Sequence, residues 1–137
     1  MIQIFLAMQP PRITAQTQGR RSYKSPALID ARQKLIAALA PQRPTKPMSG
    51  PLRLTVKWIW CTKKKSLWGT YKLTRPDTDN LQKALKDVMQ FCHYFADDAL
   101  VASEVIEKFW DGTPGIFVRL EQIENRPSHE GQGDPAD

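Results

Sequence analysis

Between Pro76 and Leu100 the chain places five aspartates, Asp77, Asp79, Asp87, Asp97 and Asp98, the first three within the run PDTDNLQKALKD. Asp77 and Asp79 stand two residues apart in an extended stretch that enters a helix, so their side chains project to one side. Asp98 is expected at the start of a strand that pairs beside them. Three carboxylates from a helix entrance and a strand entrance make an oxygen cage suited to Mg²⁺, a hard cation that keeps several waters and completes its shell with substrate phosphate. Mn²⁺ would substitute for it. Such an ion polarises a scissile phosphate and generates hydroxide near neutral pH. A second reading stands beside this one: Asp79-Asn80-Leu81-Gln82 fits a capping box, with Asp79 as N-cap and Gln82 at N3. That reading accounts for neither Asp77 nor the Asp97-Asp98 pair. Lys83 is open in the same way. It follows Asp79 by four residues and suits either an ion pair along a helix or a cation standing over bound phosphate.

The elements that must carry these residues follow from hydrophobic spacing. Residues 2–7 form a short apolar run closed by Pro10-Pro11, which predicts a buried strand. A basic loop with Arg12, Arg20, Arg21 and Lys24 ends at Ser25-Pro26, an N-cap followed by proline at the first helical position. The helix so begun extends to about residue 40, with Leu28, Leu35, Ile36 and Leu39 as its core face, and Pro41 ends it. From Leu52 the pattern alternates: Leu52, Leu54, Val56, Trp58 and Trp60 on one face, Arg53, Thr55 and Lys57 on the other. This is a strand with one buried side, and it makes Trp58 and Trp60 core residues. Leu81, Ala84, Leu85, Val88, Met89 and Cys92 then follow helical spacing over residues 79–92. Residues 101–110 read as a strand, Gly112-Thr113-Pro114-Gly115 as a hairpin turn, and residues 116–123 as the paired strand. The expected fold is a single α/β (α+β) domain over residues 1–124, with a small mixed sheet packed by two helices in the order β-α-β-α-β-β. Residues 125–137 are polar, with Gly and Pro and no apolar period, and are expected to be a disordered tail.

Charge names the partner class. The chain of 137 residues has a net charge of +6, but residues 1–76 hold fifteen Lys and Arg against Asp30 alone, while residues 77–137 hold five against thirteen acids. A half-chain at +14 attracts a polyanion, and counterion release favours nucleic acid. Lys63, Lys64, Lys65, Trp68 and Arg75 join Arg12, Arg20, Arg21 and Lys24 as candidate DNA contacts, Trp68 and Tyr71 by stacking on an exposed base. A solvated basic loop is the competing explanation. Cys61 and Cys92 are the two cysteines, far apart and outside any CxxC pair, which argues against a disulfide framework. Cys92 and His93 beside Asp97 and Asp98 give too few Cys/His ligands for a structural zinc site. No stretch approaches a membrane span and the start lacks the features of a secretory signal, so a soluble cytoplasmic protein is expected.

The run D-x-D-N-L-Q-K from Asp77 to Lys83, Asp87 four residues on, and the later Asp97-Asp98 pair resemble the signature of the RusA family of Holliday junction resolvases. The likeness is close over residues 75–101. It is weaker near the N-terminus, at Pro11-Arg12 and Tyr23-Lys24-Ser25-Pro26. The resemblance implies a homodimeric, Mg²⁺-dependent endonuclease that makes paired nicks in four-way DNA junctions during recombination and repair, often encoded by prophages. By motif position it implies Asp77, Asp79 and Asp98 as catalytic metal ligands and Lys83 as a lysine needed for cleavage. The sequence departs from the family at Gln90-Phe91-Cys92-His93-Tyr94, where a glycine-containing turn usually ends the motif helix. Two alternatives remain at this level: a basic nucleic-acid-binding module without catalysis, and a nuclease for other branched DNA.

Overall fold

The computed structural model describes residues 1–14 and 25–125. Its elements are β1 (Ile2–Leu6), α1 (Pro26–Leu39), β2 (Leu52–Cys61), α2 (Thr78–Phe91), β3 (Val101–Asp111) and β4 (Gly115–Gln122). The mixed four-stranded sheet and two helices agree with the expected class and order. The expected tail at 125–137 lies, beyond Asn125, outside the described residues, as do Arg20, Arg21 and Lys24.

The alternation in β2 sets the architecture. Leu52, Leu54, Val56, Trp58 and Trp60 are buried on the helix side, so the strand is best placed where both of its edges and one face are covered. It occupies the interior of the sheet, whose order is β1-β4-β2-β3. β3 runs parallel to β2, with Trp58 beside Lys108, and β4 runs antiparallel to it on the other side, with Trp58 beside Ile116. β1 closes the far edge antiparallel to β4, Leu6 opposite Ile116.

This order corrects one expectation. β3 and β4 are joined by a short Gly/Pro connection but do not pair as a hairpin, because β2 lies between them. Crossing one strand means spanning about 10 Å, which residues 112–114 can do at ~3.8 Å per Cα step. The crossing passes over the end of β2, where the Thr62 N–H donates to Asp111 O at 2.9 Å and the Cys61 thiol to Gly112 O at 3.3 Å. Pairing Ile116, Val118 and Leu120 against β2 builds a broader apolar face than pairing them with β3, where the same face carries Glu104 and Lys108.

α1 begins as expected. The Ser25 hydroxyl accepts from the Leu28 N–H at 3.2 Å, with Pro26 at the first helical position, and Leu35 and Leu39 are buried. Its last turn is tied from outside: the fully buried Tyr94 hydroxyl donates to Leu39 O at 2.6 Å. α2 buries Leu81, Leu85, Val88 and Met89 against the sheet. An ion pair between Arg32 and Asp87 joins α1 to α2, and one between Lys86 and Glu104, at 2.9 Å, joins α2 to β3. Cys61 and Cys92 are free thiols. Among the described residues no helix is long and apolar enough to cross a membrane.

Burial pushes the Tyr94 phenol up to about 12 from an ordinary value of 10.0. The neutral form is favoured in the fold, so this contribution to stability is intact below pH 10 and is lost as pH rises through 10 towards 12. Tyr94→Phe should lower stability at pH 7 by roughly 1–2 kcal/mol by leaving the Leu39 carbonyl without its donor. It should also flatten the alkaline loss, and urea unfolding at pH 7 and at pH 11 would measure both.

Candidate active site

β1, β2 and β3 all run in one direction, so the segments that follow β1 and β2 emerge at the same end of the sheet. That end collects Arg12 after β1, and Lys63, Lys64, Lys65 and Trp68 after β2. The Cys61 N–H reaches the Gln9 side-chain carbonyl at 3.4 Å, which ties the two exits together. From there the chain turns along the outer edge of β3: Trp110 N–H donates to Thr70 O, Lys72 N–H to Lys108 O and Gly69 N–H to Trp110 O, all at 2.8–2.9 Å. Gly69 has a φ of +81°, a conformation that glycine adopts without strain. Residues 73–77 then climb to the start of α2.

Asp77 is the N-cap of α2, and Asp79 lies in its first turn. The capping box is therefore not formed: the cap falls two residues earlier, and Gln82 is buried with neither amide atom bonded among the described residues. Asp77 has the backbone of a cap, φ −77° and ψ 152°, yet its carboxylate makes no capping bond. It faces outward with the Arg75 guanidinium at 3.4 Å, an exposed pair of little energetic weight. Asp79 is exposed as well, and it makes no ion pair with Lys83, which is also exposed. Two exposed carboxylates, Asp77 paired with Arg75, thus stand at the positive end of a helix dipole. Trp68 is partly docked: its indole N–H donates to Thr62 O at 2.9 Å and its ring abuts Gly112, leaving it 43% exposed.

Asp98 is placed elsewhere. α2 runs back against β3, so residues 92–100 lie at the opposite end of the sheet, and α2 alone separates the ends by roughly 20 Å. Asp98 is in a short 3-10 turn, Asp98–Leu100, before β3 and not in the strand. Its backbone N–H is held by the Gln90 side-chain carbonyl at 2.8 Å. Asp97 uses its carboxylate on the Ala99 N–H at 2.9 Å, which leaves Asp98 as the half of the pair with an uncommitted carboxylate. Asp87 is engaged with Arg32. Among the described residues no three His, Cys, Asp or Glu side chains are grouped so as to hold a metal ion. The expected meeting of Asp98 with Asp77 and Asp79 does not occur within one chain. What the chain offers is an all-oxygen pair, Asp77 and Asp79, whose chemistry suits a hard cation that uses one or two carboxylates and takes the rest of its shell from water and phosphate.

Two lysines that the sequence reading missed line this end. Lys72 is buried; its ammonium bonds the Thr74 hydroxyl and lies 4.5 Å from the Trp110 ring centroid and 5.2 Å from that of Trp60. Lys108 donates to Thr74 O and to Pro76 O, each at 2.7 Å. Burial lowers the pKa of both; Lys108 adds to the effect at Lys72, while Asp77 opposes it at Lys108. The signal for Lys108 was present in the alternation of β3, where a lysine takes the inward position between Ile106 and Trp110.

Comparison with known proteins bears on the same region. A crossover junction endodeoxyribonuclease of Lactococcus phage r1t is 33% identical over 73 residues, which amount to 53% of this chain and 56% of that protein. The chain thus covers little more than half the length of this relative. The family model described as Endodeoxyribonuclease RusA matches residues 6–121, from the end of β1 to the end of β4 and across both acidic segments. The chain belongs to the RusA endodeoxyribonuclease family.

Proposed function

We propose that this protein is a divalent-metal endonuclease that resolves four-way DNA junctions, working as a homodimer in the cytoplasm. The observation that carries the reading is that Asp77, paired with Arg75, and Asp79 are exposed at the start of α2, while Arg12 and Lys63, Lys64 and Lys65 follow strands that end at the same end of the sheet. Basic loops around a carboxylate pair bring phosphate to the one place where its charge would otherwise be repelled. Asp77 and Asp79 would hold Mg²⁺, with Mn²⁺ as a substitute. When bound, the ion supplies Lewis acidity towards the scissile phosphate and an activated water. Lys83, one turn further along α2 and free of Asp79, stands where it can offset charge on the phosphate. Arg20, Arg21 and Lys24 would join the basic segment after β2 in holding the DNA arms, and Trp68 offers its exposed part to a base.

Asp98 enters this site from the second copy. In a twofold dimer with the strands of the two protomers antiparallel, the Asp98 end of each faces the Asp77 end of its partner. The outer edge of β3 favours this arrangement. Loop residues 69–72 cover only its last part, and no strand lies against Val101–Ile106 among the described residues. Such an edge is a template for pairing with another chain. Two composite sites on one basic surface suit a junction in which two related strands are cut.

Asp77→Asn, Asp79→Asn and Asp98→Asn should each abolish metal-dependent cleavage of a four-way junction and leave junction binding intact, as a gel-shift assay would show; Asp87→Asn, which only loosens the contact with Arg32, should retain cleavage. Mixing Asp77→Asn with Asp98→Asn protein should restore nicking, because the heterodimer then contains one site with every acid native. If heterodimers form and the mixture stays inactive, the shared site is wrong. Single mutants that cleave at the native rate would favour a non-catalytic binding module.

Affinity should fall steeply with salt, with a slope of roughly −0.9 per neutralised phosphate on duplex DNA. Replacing Lys63, Lys64 and Lys65 together by Ala should flatten that slope in a fluorescence-anisotropy titration. Truncation after Asn125 should leave cleavage unchanged, since the active unit is taken to be residues 1–124.

A further inference from the structure

Lys108 occupies the face of β3 that packs beneath α2, level with Trp58 and between Ile106 and Trp110, where an apolar residue would bury more cheaply. Its ammonium bonds the Thr74 and Pro76 carbonyls. These groups bracket Arg75 and end one residue before Asp77, the N-cap of α2. Resting on the reading that Asp77 and Asp79 form the cleavage site, we infer that Lys108 is a positioning residue for them. It fixes the backbone from which both carboxylates project and sets a positive charge beneath the first.

Three observations carry this. Residues 73–76 belong to neither helix nor ladder, and one side chain on β3 takes two of their carbonyls, those of Thr74 and Pro76. β3 is paired with β2 from Ser103 to Asp111, so a bond from Lys108 ties the acid-bearing stretch to the sheet. The third concerns charge. Lys72, whose ammonium bonds the Thr74 hydroxyl, is a second cation under the same stretch, and each raises the cost of the other. Neutral donors would satisfy the same oxygens without that repulsion. A positive charge at this point gains its value from Asp77, whose carboxylate favours the charged Lys108.

The experiment compares Lys108→Met and Lys108→Arg with Asp77→Asn in parallel. It reads junction cleavage, junction binding, thermal melting, and amide hydrogen exchange of residues 73–81 in metal-free protein. Lys108→Met should bind junctions normally, exchange faster over residues 73–81, and cleave about 10²-fold more slowly, the scale expected when reacting groups shift by about 1 Å. Lys108→Arg keeps the charge and can fork onto both carbonyls, so it should restore slow exchange and bring cleavage back to within about tenfold of native. If Lys108→Met merely melts earlier while its folded fraction cleaves and exchanges like the native protein, the role is structural and the inference fails. Should Lys108→Met not fold, Lys108→Arg decides: native exchange with lost cleavage overturns the proposal, and native exchange with cleavage retained supports it. An active Asp77→Asn would instead remove the reading on which the proposal rests, and the two failures are thereby told apart.

Discussion

A strand that is apolar on one face and flanked on both edges can have only one place in a small sheet, and β2 is that strand. Burying Leu54, Val56, Trp58 and Trp60 together requires partners on each side. β4 therefore passes over the end of β2 and pairs with its free edge. Everything chemical in the molecule follows from the direction this imposes. With β2 and β3 parallel, the connection between them must return along the sheet, and α2 is that return. The start of α2 is fixed at the end where β1 and β2 deliver their basic segments, and its finish at the other.

The length of α2 then becomes a constraint on chemistry. Fourteen helical residues separate the Asp77 end from the Asp98 end, so acids that sit close together in sequence are held far apart in a single chain. A nuclease that placed all its ligands in one protomer would need a different connection. One that shared them between protomers, as proposed, would make cleavage conditional on assembly, because an isolated chain presents Asp77 and Asp79 at one end and Asp98 at the other. For an enzyme that must cut two symmetry-related strands, such a coupling of assembly to activity would limit stray single nicks by a free protomer.

How much of this was legible in the sequence varies with the range of the interaction involved. Local signals read correctly: the Ser25-Pro26 start of α1, the apolar spacing of α2 and the alternation of β2 all appear as expected, because each is decided within a few residues. The Gly112–Gly115 turn misled, since a short Gly/Pro connection looks the same whether the strands it joins are neighbours or have a third between them. The choice was made by the apolar face of β2, fifty residues away. The N-cap at Asp77 in place of Asp79 is another such case: the capping-box pattern was present, but burial of Gln82 beneath the helix removed its second half. Asp98 was recognisable as a residue type and motif position, whereas its distance from Asp77 depended on topology. Lys108 was visible as a break in the alternation of β3, and only the path of residues 69–77 along that strand gave the break a meaning.

The charge asymmetry of the chain takes on a physical sense once the topology is known. The basic first half would be an undirected polyanion-binding surface if its segments emerged at random, but the common direction of β1, β2 and β3 gathers Arg12 and the Lys63–Lys65 run at one end. Two exposed carboxylates near that end would repel the same phosphates that the basic segments attract, which would weaken binding at the point where cleavage is proposed. In the proposed site that penalty would be the condition for the chemistry, because a cation held by Asp77 and Asp79 would turn the local repulsion into attraction only with both metal and phosphate present. Lys108 and Lys72 would act on the protein side of the same balance. Lys108 bonds the Thr74 and Pro76 carbonyls and Lys72 the Thr74 hydroxyl, so in the proposed site they would steady the stretch that leads into Asp77 without bonding the carboxylates that would take up the ion.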